Sequence, residues 1–339
     1  MNKVLEIERL SILYRIRERK FRAVNDVYLS LEKGEILGLV GESGSGKSTL
    51  AHAIIGLLPV NAVIESGSII FLGKDLTKVR YKDFHKFRGY RGMTMIFQDP
   101  MTSLNPTMTV YEQLEEALIE RKQRIGWGDF NPFIKIFPQN KRKIRGEFEK
   151  EVLEALNKTG IRYAKEIMRK YPHQLSGGER QRVMIAMNYL LKPSLLIADE
   201  PTTSLDVINQ FKILKLLLEL REELGTSILF ISHDISLVLQ IADKVAVMYA
   251  GSIIEEGISD EIYEKPLHPY TIGLLKSIPT KFKGDGRISQ IPGSPPDPMN
   301  LPNGCPFHPR CSFAYELCKR NYPNLLNKSG RKVACHLYS

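Results

Sequence analysis

Residues 34–58 read GEILGLVGESGSGKSTLAHAIIGLL, and three local patterns follow one another in that stretch. GEILGLV (34–40) is a compact apolar run suited to a buried strand, GESGSGK turns on three glycines, and STLAHAIIGLL (48–58) has helical character. Gly41 and Gly46 bracket four residues and Lys47-Ser48 follow, so the stretch fits G-x-x-x-x-G-K-[ST] in the strand–loop–helix context that this motif requires. Glycines let successive backbone N–H groups converge on phosphate oxygens, and a helix N-terminus adds a favourable dipole. Lys47 then suits the β- and γ-phosphates and the Ser48 hydroxyl suits Mg²⁺, with Ser43, Gly44, Ser45 and Thr49 completing the loop. A chance Gly/Ser turn would account for the glycines but not for the flanks.

A second apolar run, LLIAD (195–199), ends in Asp199 and continues into Glu200-Pro201. A buried strand ending there brings the Asp199 carboxylate to Mg²⁺. Glu200, one residue on, can orient a water and accept its proton. Taken alone, an acid at a strand end is more often a surface group. What changes the reading is LSGGERQR (175–182) shortly before it. Ser176 and Glu179 fit a capping box that opens a helix running to about 192. A Ser hydroxyl and glycine amides at a helix start also form a second anion site.

The three motifs, in this order, resemble the ATP-binding subunits of ABC transporters. The resemblance implies that two ATPase subunits close head to tail on ATP and Mg²⁺, with Ser176, Gly177 and Gly178 capping the γ-phosphate of an ATP held by the partner. It implies a Q-loop glutamine at Gln98 in MIFQDP (95–100), a D-loop at Ser204-Leu205-Asp206, and a switch histidine at His233 after SILFIS (227–232). Gln98, Glu200 and His233 would be the catalytic group, and Ser48, Gln98 and Asp199 the Mg²⁺ group. Tyr14 stands where the family stacks an aromatic on adenine; a half-buried strand tyrosine is the plainer alternative. His173 reads as structural.

Four further stretches narrow the resemblance: FQDPMTSLNP (97–106), HPYTIGLL (268–275), IPGSPPDP (291–298) and GCPFHPRC (304–311). They are similar to the D-type ATPase of the peptide-importer group, which serves oligopeptide, dipeptide and nickel importers and related oligosaccharide systems. The likeness spans nearly the whole chain and departs at about 121–150. It implies two transmembrane permease subunits, a second ABC ATPase of a different chain and an extracytoplasmic solute-binding protein. It also implies a place on the cytoplasmic face of the membrane, with residues 99–115 as the coupling surface. The resemblance does not name the cargo.

The expected fold is α/β: a RecA-like P-loop core with an N-terminal antiparallel β-subdomain, a helical signature lobe and a Pro/Gly-rich C-terminal extension. Strand-like stretches fill 1–40, including LEIERLSILY (5–14). LLIAD, a helix at 208–223, SILFIS, a helix at 235–242 and KVAVMYAG (244–251) then alternate, which implies a parallel sheet flanked by helices. The nucleotide-binding domain is expected over 1–255, with its helical lobe at about 104–192, and the extension over 256–339, coiled against the core. At 339 residues, 43% hydrophobic and 25% charged, the composition is that of a globular protein. No apolar run is long enough to span a bilayer, and MNKVLEIERL lacks a signal-peptide core.

The net charge of +10 is concentrated: residues 121–150 hold nine Lys/Arg against three Asp/Glu, interleaved with Trp127, Phe130, Phe133 and Phe137. Such a segment suits an anionic membrane surface or nucleic acid, or is a solvated insertion whose aromatics pack on the parent domain. An ABC ATPase acting on nucleic acid or ribosomes is the alternative function this charge prompts. The lack of sustained heptads and the presence of one cassette speak against it. A nucleotide-sensing module without turnover is a third reading, opposed by Glu200 and His233.

All four cysteines, Cys305, Cys311, Cys318 and Cys335, fall in the last 35 residues, spaced C-x5-C-x6-C-x16-C. Zinc sites usually show tighter pairs, so the spacing fits an iron–sulfur cluster at least as well; zinc, disulfides and free thiols stay open. Similar tails in the peptide-importer group are associated with a 4Fe–4S cluster. His336 is a weaker ligand candidate.

Overall fold

The computed structural model describes residues 3–99, 103–126, 138–203, 205–278, 291–328 and 330–339. Residues 127–137 of the basic stretch 121–150, with Trp127, Phe130, Phe133 and Phe137, and Ser204 of the D-loop lie outside them. The strands are β1 (Lys3–Ile16), β2 (Arg19–Glu32), β3 (Ile36–Val40), β4 (Ala62–Phe71), β5 (Lys74–Asp75), β6 (Met93–Ile96), β7 (Leu195–Asp199), β8 (Ser227–Ser232), β9 (Lys244–Tyr249), β10 (Ser252–Ile258), β11 (Leu326–Lys328) and β12 (Arg331–Val333). The chain forms two compact units, residues 1–81 with 229–339, and residues 82–228.

In the first unit β1 pairs antiparallel with β2 and β4, placing Leu5 beside Leu31 and Phe71, and β5 closes the edge. This is the expected N-terminal antiparallel subdomain. Its inner face is Leu5, Ile7, Leu10, Ile12, Leu29 and Leu31, all buried. A second sheet pairs β3 parallel to β9 and β9 antiparallel to β10. Every residue of β3 and β8 is buried, which is why both read as unbroken apolar runs: a strand covered on both faces has no polar alternation.

The C-terminal extension does more than coil. After the helices Ser259–Glu264 and Pro269–Lys276, the chain returns as β12, pairing Val333 with Glu255 of β10, and β11 pairs with β12. Three-residue strands carry too few positions to leave a periodic signal.

In the second unit β6 and β7 pair in parallel and β7 is wholly buried. Helices Val110–Gly126, Pro138–Lys158, Ala164–Ile167 and Gly177–Leu191 form the expected helical stretch. The helix Val207–Leu224 starts on an Asp206 cap and stops at Gly225, whose φ of 66° suits a left-handed C-terminal cap. Among the described residues no helix is long and apolar enough to cross a membrane.

Candidate nucleotide-binding and signature sites

The glycine loop runs from the end of β3 to the helix Lys47–Ile54. Gly46 has φ +106°, and a Cβ there would stand 2.3 Å from the Ala23 carbonyl oxygen. A Cβ at Gly41 would stand 2.1 Å from that of Met248. The loop is thus pressed against backbone at Gly41 and Gly46, where any side chain would collide. Lys47 is 4% exposed; its Nζ donates to the carbonyls of Gly41 at 2.7 Å and Glu42 at 3.0 Å. Lys47, Ser48 and Thr49 fall in the first turn of the helix, where amides lack intrahelical acceptors and the dipole is positive. Tyr14, half-buried on β1, stacks on Phe21 (centroids 5.5 Å, planes 15° apart), with its hydroxyl 3.5 Å from Thr49 Oγ1. His233 is exposed, just beyond β8 and before the helix Ile235–Ile241.

In the second unit β7 ends in Asp199, 3% exposed. Glu200 follows with φ 47°, a left-handed turn that a non-glycine residue rarely adopts and that is concentrated at functional sites. Gln98 Nε2 donates to Glu200 Oε2 at 3.2 Å, and Thr203 Oγ1 donates to the same oxygen at 2.9 Å. The two amino acids read separately as catalytic are therefore in contact. Thr203 is a partner that sequence reasoning missed; a threonine in a turn carries no signal of its own.

The signature serine caps its helix as expected. The Glu179 N–H donates to Ser176 Oγ at 3.3 Å, and the Ser176 N–H donates to Glu179 Oε2 at 2.8 Å. Burial opposes the charge on Glu179, but hydrogen bonds to its carboxylate from the Ser176 N–H and hydroxyl, with Lys170 and Arg180 nearby, outweigh it and hold the carboxyl below its usual range. Asp206 is also held low, first by the N–H of Asn209. A Cβ at Gly177 or Gly178 would meet nothing within 4 Å. Both glycines line an open hollow of about 1000 Å³ with Ser176, where Lys158, Arg162, Arg182, Lys212 and Lys215 outnumber Glu179, Asp206 and Glu219, a net positive lining that favours an anion. His173 stacks on Tyr171 at 5.8 Å.

The four cysteines are free thiols around one small cavity of about 20 Å³, room for about one water. Gly304, at φ 70°, lets the Cys305 N–H donate to the Cys318 carbonyl at 2.8 Å; a Cβ there would stand 2.4 Å from that oxygen. Burial, followed by smaller contributions from the other cysteines, pushes the Cys305 thiol up to about 11, and burial also raises Cys311 and Cys335. Such thiols stay protonated unless a cation joins them. Among the described residues no group of three Cys, His, Asp or Glu is placed to hold a metal ion. His336 Nε2 lies 2.8 Å from the Asn321 carbonyl oxygen, where its ring is already engaged.

Residues 24–203 match the ABC transporter family model, and residues 254–318 match the oligopeptide/dipeptide transporter C-terminal region. The oligopeptide transport ATP-binding protein AppD of Bacillus subtilis is 44% identical over all of this chain and 98% of its own length. The dipeptide transport ATP-binding protein DppD of the same organism is 42% identical over 99% of this chain and 95% of its own. The chain belongs to the ATP-binding subunits of the oligopeptide/dipeptide ABC transporters. Among solved structures, the ATP-binding cassette MJ0796, a dimer bound to ADP and phosphate, is similar at TM-score 0.62 and 26% identity, covering 75% of this chain and 98% of that one. The family's activity is ATP hydrolysis coupled to transport, and the cassette fold is the mixed α/β architecture described above.

Proposed function

We propose that this chain powers the import of oligopeptides or dipeptides, or of a related solute, by closing with a second ABC ATPase on ATP. The observation that carries the reading is the pair Gly177 and Gly178: their own fold leaves open space beside them, inside a basic hollow at a helix start. That space is open to a ligand from outside the chain, and the γ-phosphate of an ATP on the partner ATPase suits it. In the cycle proposed here, Lys47 and the loop amides hold the triphosphate, while Ser48, Gln98 and Asp199 hold Mg²⁺. Tyr14 offers its ring to the adenine. Glu200, with Gln98 and Thr203 on its carboxylate, orients the attacking water and accepts its proton. His233 and the partner's signature serine contact the γ-phosphate, and Asp206 fixes the D-loop. Positioning and charge stabilisation supply most of the catalysis.

The chain works at the cytoplasmic face of the membrane with two permease subunits, a second ATPase of different sequence and a solute-binding protein. No nucleic acid is required. Cys305, Cys311, Cys318 and Cys335 would hold a 4Fe–4S cluster, which supplies a structural crosslink to an extension whose local strands are only three residues long.

Anaerobic isolation of the chain from native membranes tests this. Two multi-spanning subunits, a second ATPase and a binding protein are expected to co-purify, with phosphate release stimulated when the binding protein carries short peptides. Recovery of ribosomes or nucleic acid without membrane subunits would overturn the proposal.

A further inference from the structure

The phosphate loop carries an acid. Glu42 follows Gly41, and a carboxylate on a loop that receives a polyphosphate opposes its ligand's charge. One cation from far along the chain meets it. Arg310 Nη1 donates to Glu42 Oε2 at 2.7 Å and Nη2 donates to Oε1 at 3.0 Å, a two-pronged pair. The Arg310 side chain is 6% exposed. Its Nε donates to the Pro292 carbonyl at 2.9 Å and its Nη1 reaches the Tyr249 hydroxyl at 3.3 Å.

Glu42 is gripped from the other side too. Its N–H donates to the Tyr270 hydroxyl at 2.9 Å, and its carbonyl accepts from Lys47 Nζ at 3.0 Å. Residue 42 thus touches the phosphate-binding lysine through its backbone and the C-terminal extension through its side chain. The extension is anchored at the same place. Phe307 packs edge-on against Tyr249 at 5.3 Å and Tyr270 at 5.5 Å, three residues before Arg310.

We propose that Arg310 is a positioning residue for ATP binding, neutralising Glu42 so that the phosphate loop reaches full affinity only with the C-terminal extension docked. This rests on reading Gly41–Thr49 as the phosphate site. The test is the affinity of the full-length chain, purified anaerobically, for a fluorescent ATP analogue. Arg310→Ala is expected to weaken binding about tenfold, the scale of one unneutralised charge at roughly 10 Å in partly aqueous surroundings. Arg310→Lys falls between, because a point charge replaces the fork. Adding Glu42→Gln to Arg310→Ala restores affinity to within about twofold of wild type. A loosened extension would not show this recovery, since it would leave the double variant as weak as the single.

Wild-type affinity in Arg310→Ala, or no recovery in the double variant, overturns the proposal. If Arg310→Ala does not fold, Arg310→Lys decides: binding weaker than wild type, restored by adding Glu42→Gln, is expected, and wild-type affinity overturns the proposal. Lys47→Ala separates the two readings, because undiminished affinity there would remove the phosphate site itself.

Discussion

The two glycine motifs of this chain are built on opposite grounds. In the phosphate loop, Gly41 and Gly46 are demanded from within, because any Cβ would strike the Met248 or Ala23 carbonyl. In LSGGE, Gly177 and Gly178 need no positive φ, and a Cβ would meet nothing. Alanine would even suit that helix start better than glycine does. A glycine its own fold requires tells us about the fold. One its fold leaves idle tells us about what comes to visit. The phosphate loop is shaped within one chain, while the packing of that chain leaves the signature glycines unconstrained, as the proposed contact with a partner's ATP requires.

That contrast can be broken from either side. Gly46→Ala should abolish ATP binding and lower the melting temperature, since it combines backbone clash with a φ costing about 1–3 kcal/mol; calorimetric titration and a thermal scan would show both. Glu200→Gln should bind ATP as wild type while phosphate release by the assembled transporter falls about 10²–10⁴-fold. Gly178→Ala is the sharpest discriminator. The isolated chain should bind ATP normally and gain about 0.5–1 kcal/mol of stability, yet turnover in the complex should drop about tenfold. Unfolding of that variant would erase the contrast.

The smallest effect is one of pH. The folded-state pKa of Glu179 is lowered, so its capping box stabilises above the ordinary carboxylate range and is lost as pH falls through the folded value. The stability gap between wild type and Glu179→Gln should therefore close on acidification.

Legibility followed sequence distance. GESGSGKST, LSGGE and LLIAD each place their chemistry within a few residues, and each is found where its pattern put it: β3 into the helix Lys47–Ile54, a capped helix from Gly177, and β7 ending in Asp199. Glu42 and Arg310 are 268 residues apart, and nothing local in either predicts the pair. The contact of Thr203 with Glu200 depends on a turn whose geometry no motif states. Gly304 reads as one more glycine in a Pro/Gly-rich tail until the Cys318 carbonyl is seen beside it. Of the stretch 121–150, whose charge suited a membrane surface, nucleic acid or a solvated insertion, the flanks belong to the helices Val110–Gly126 and Pro138–Lys158, and 127–137 lies outside the described residues.

The pairing of β12 with β10 bears on how freely this chain could be re-engineered. Glu255 on β10 is fully buried, and its carboxylate accepts from the N–H groups of Leu267 and His268 and from Arg331 Nη2 at 3.3 Å. All three donors lie downstream of it. A chain ending at β10 would bare a strand edge and strand a buried acid with none of its partners. A segment exchanged after β10 therefore has to bring its own edge strand and its own donors for Glu255. Recombination within this lineage has to carry β12 along with β10, or inherit a protein that sticks to itself.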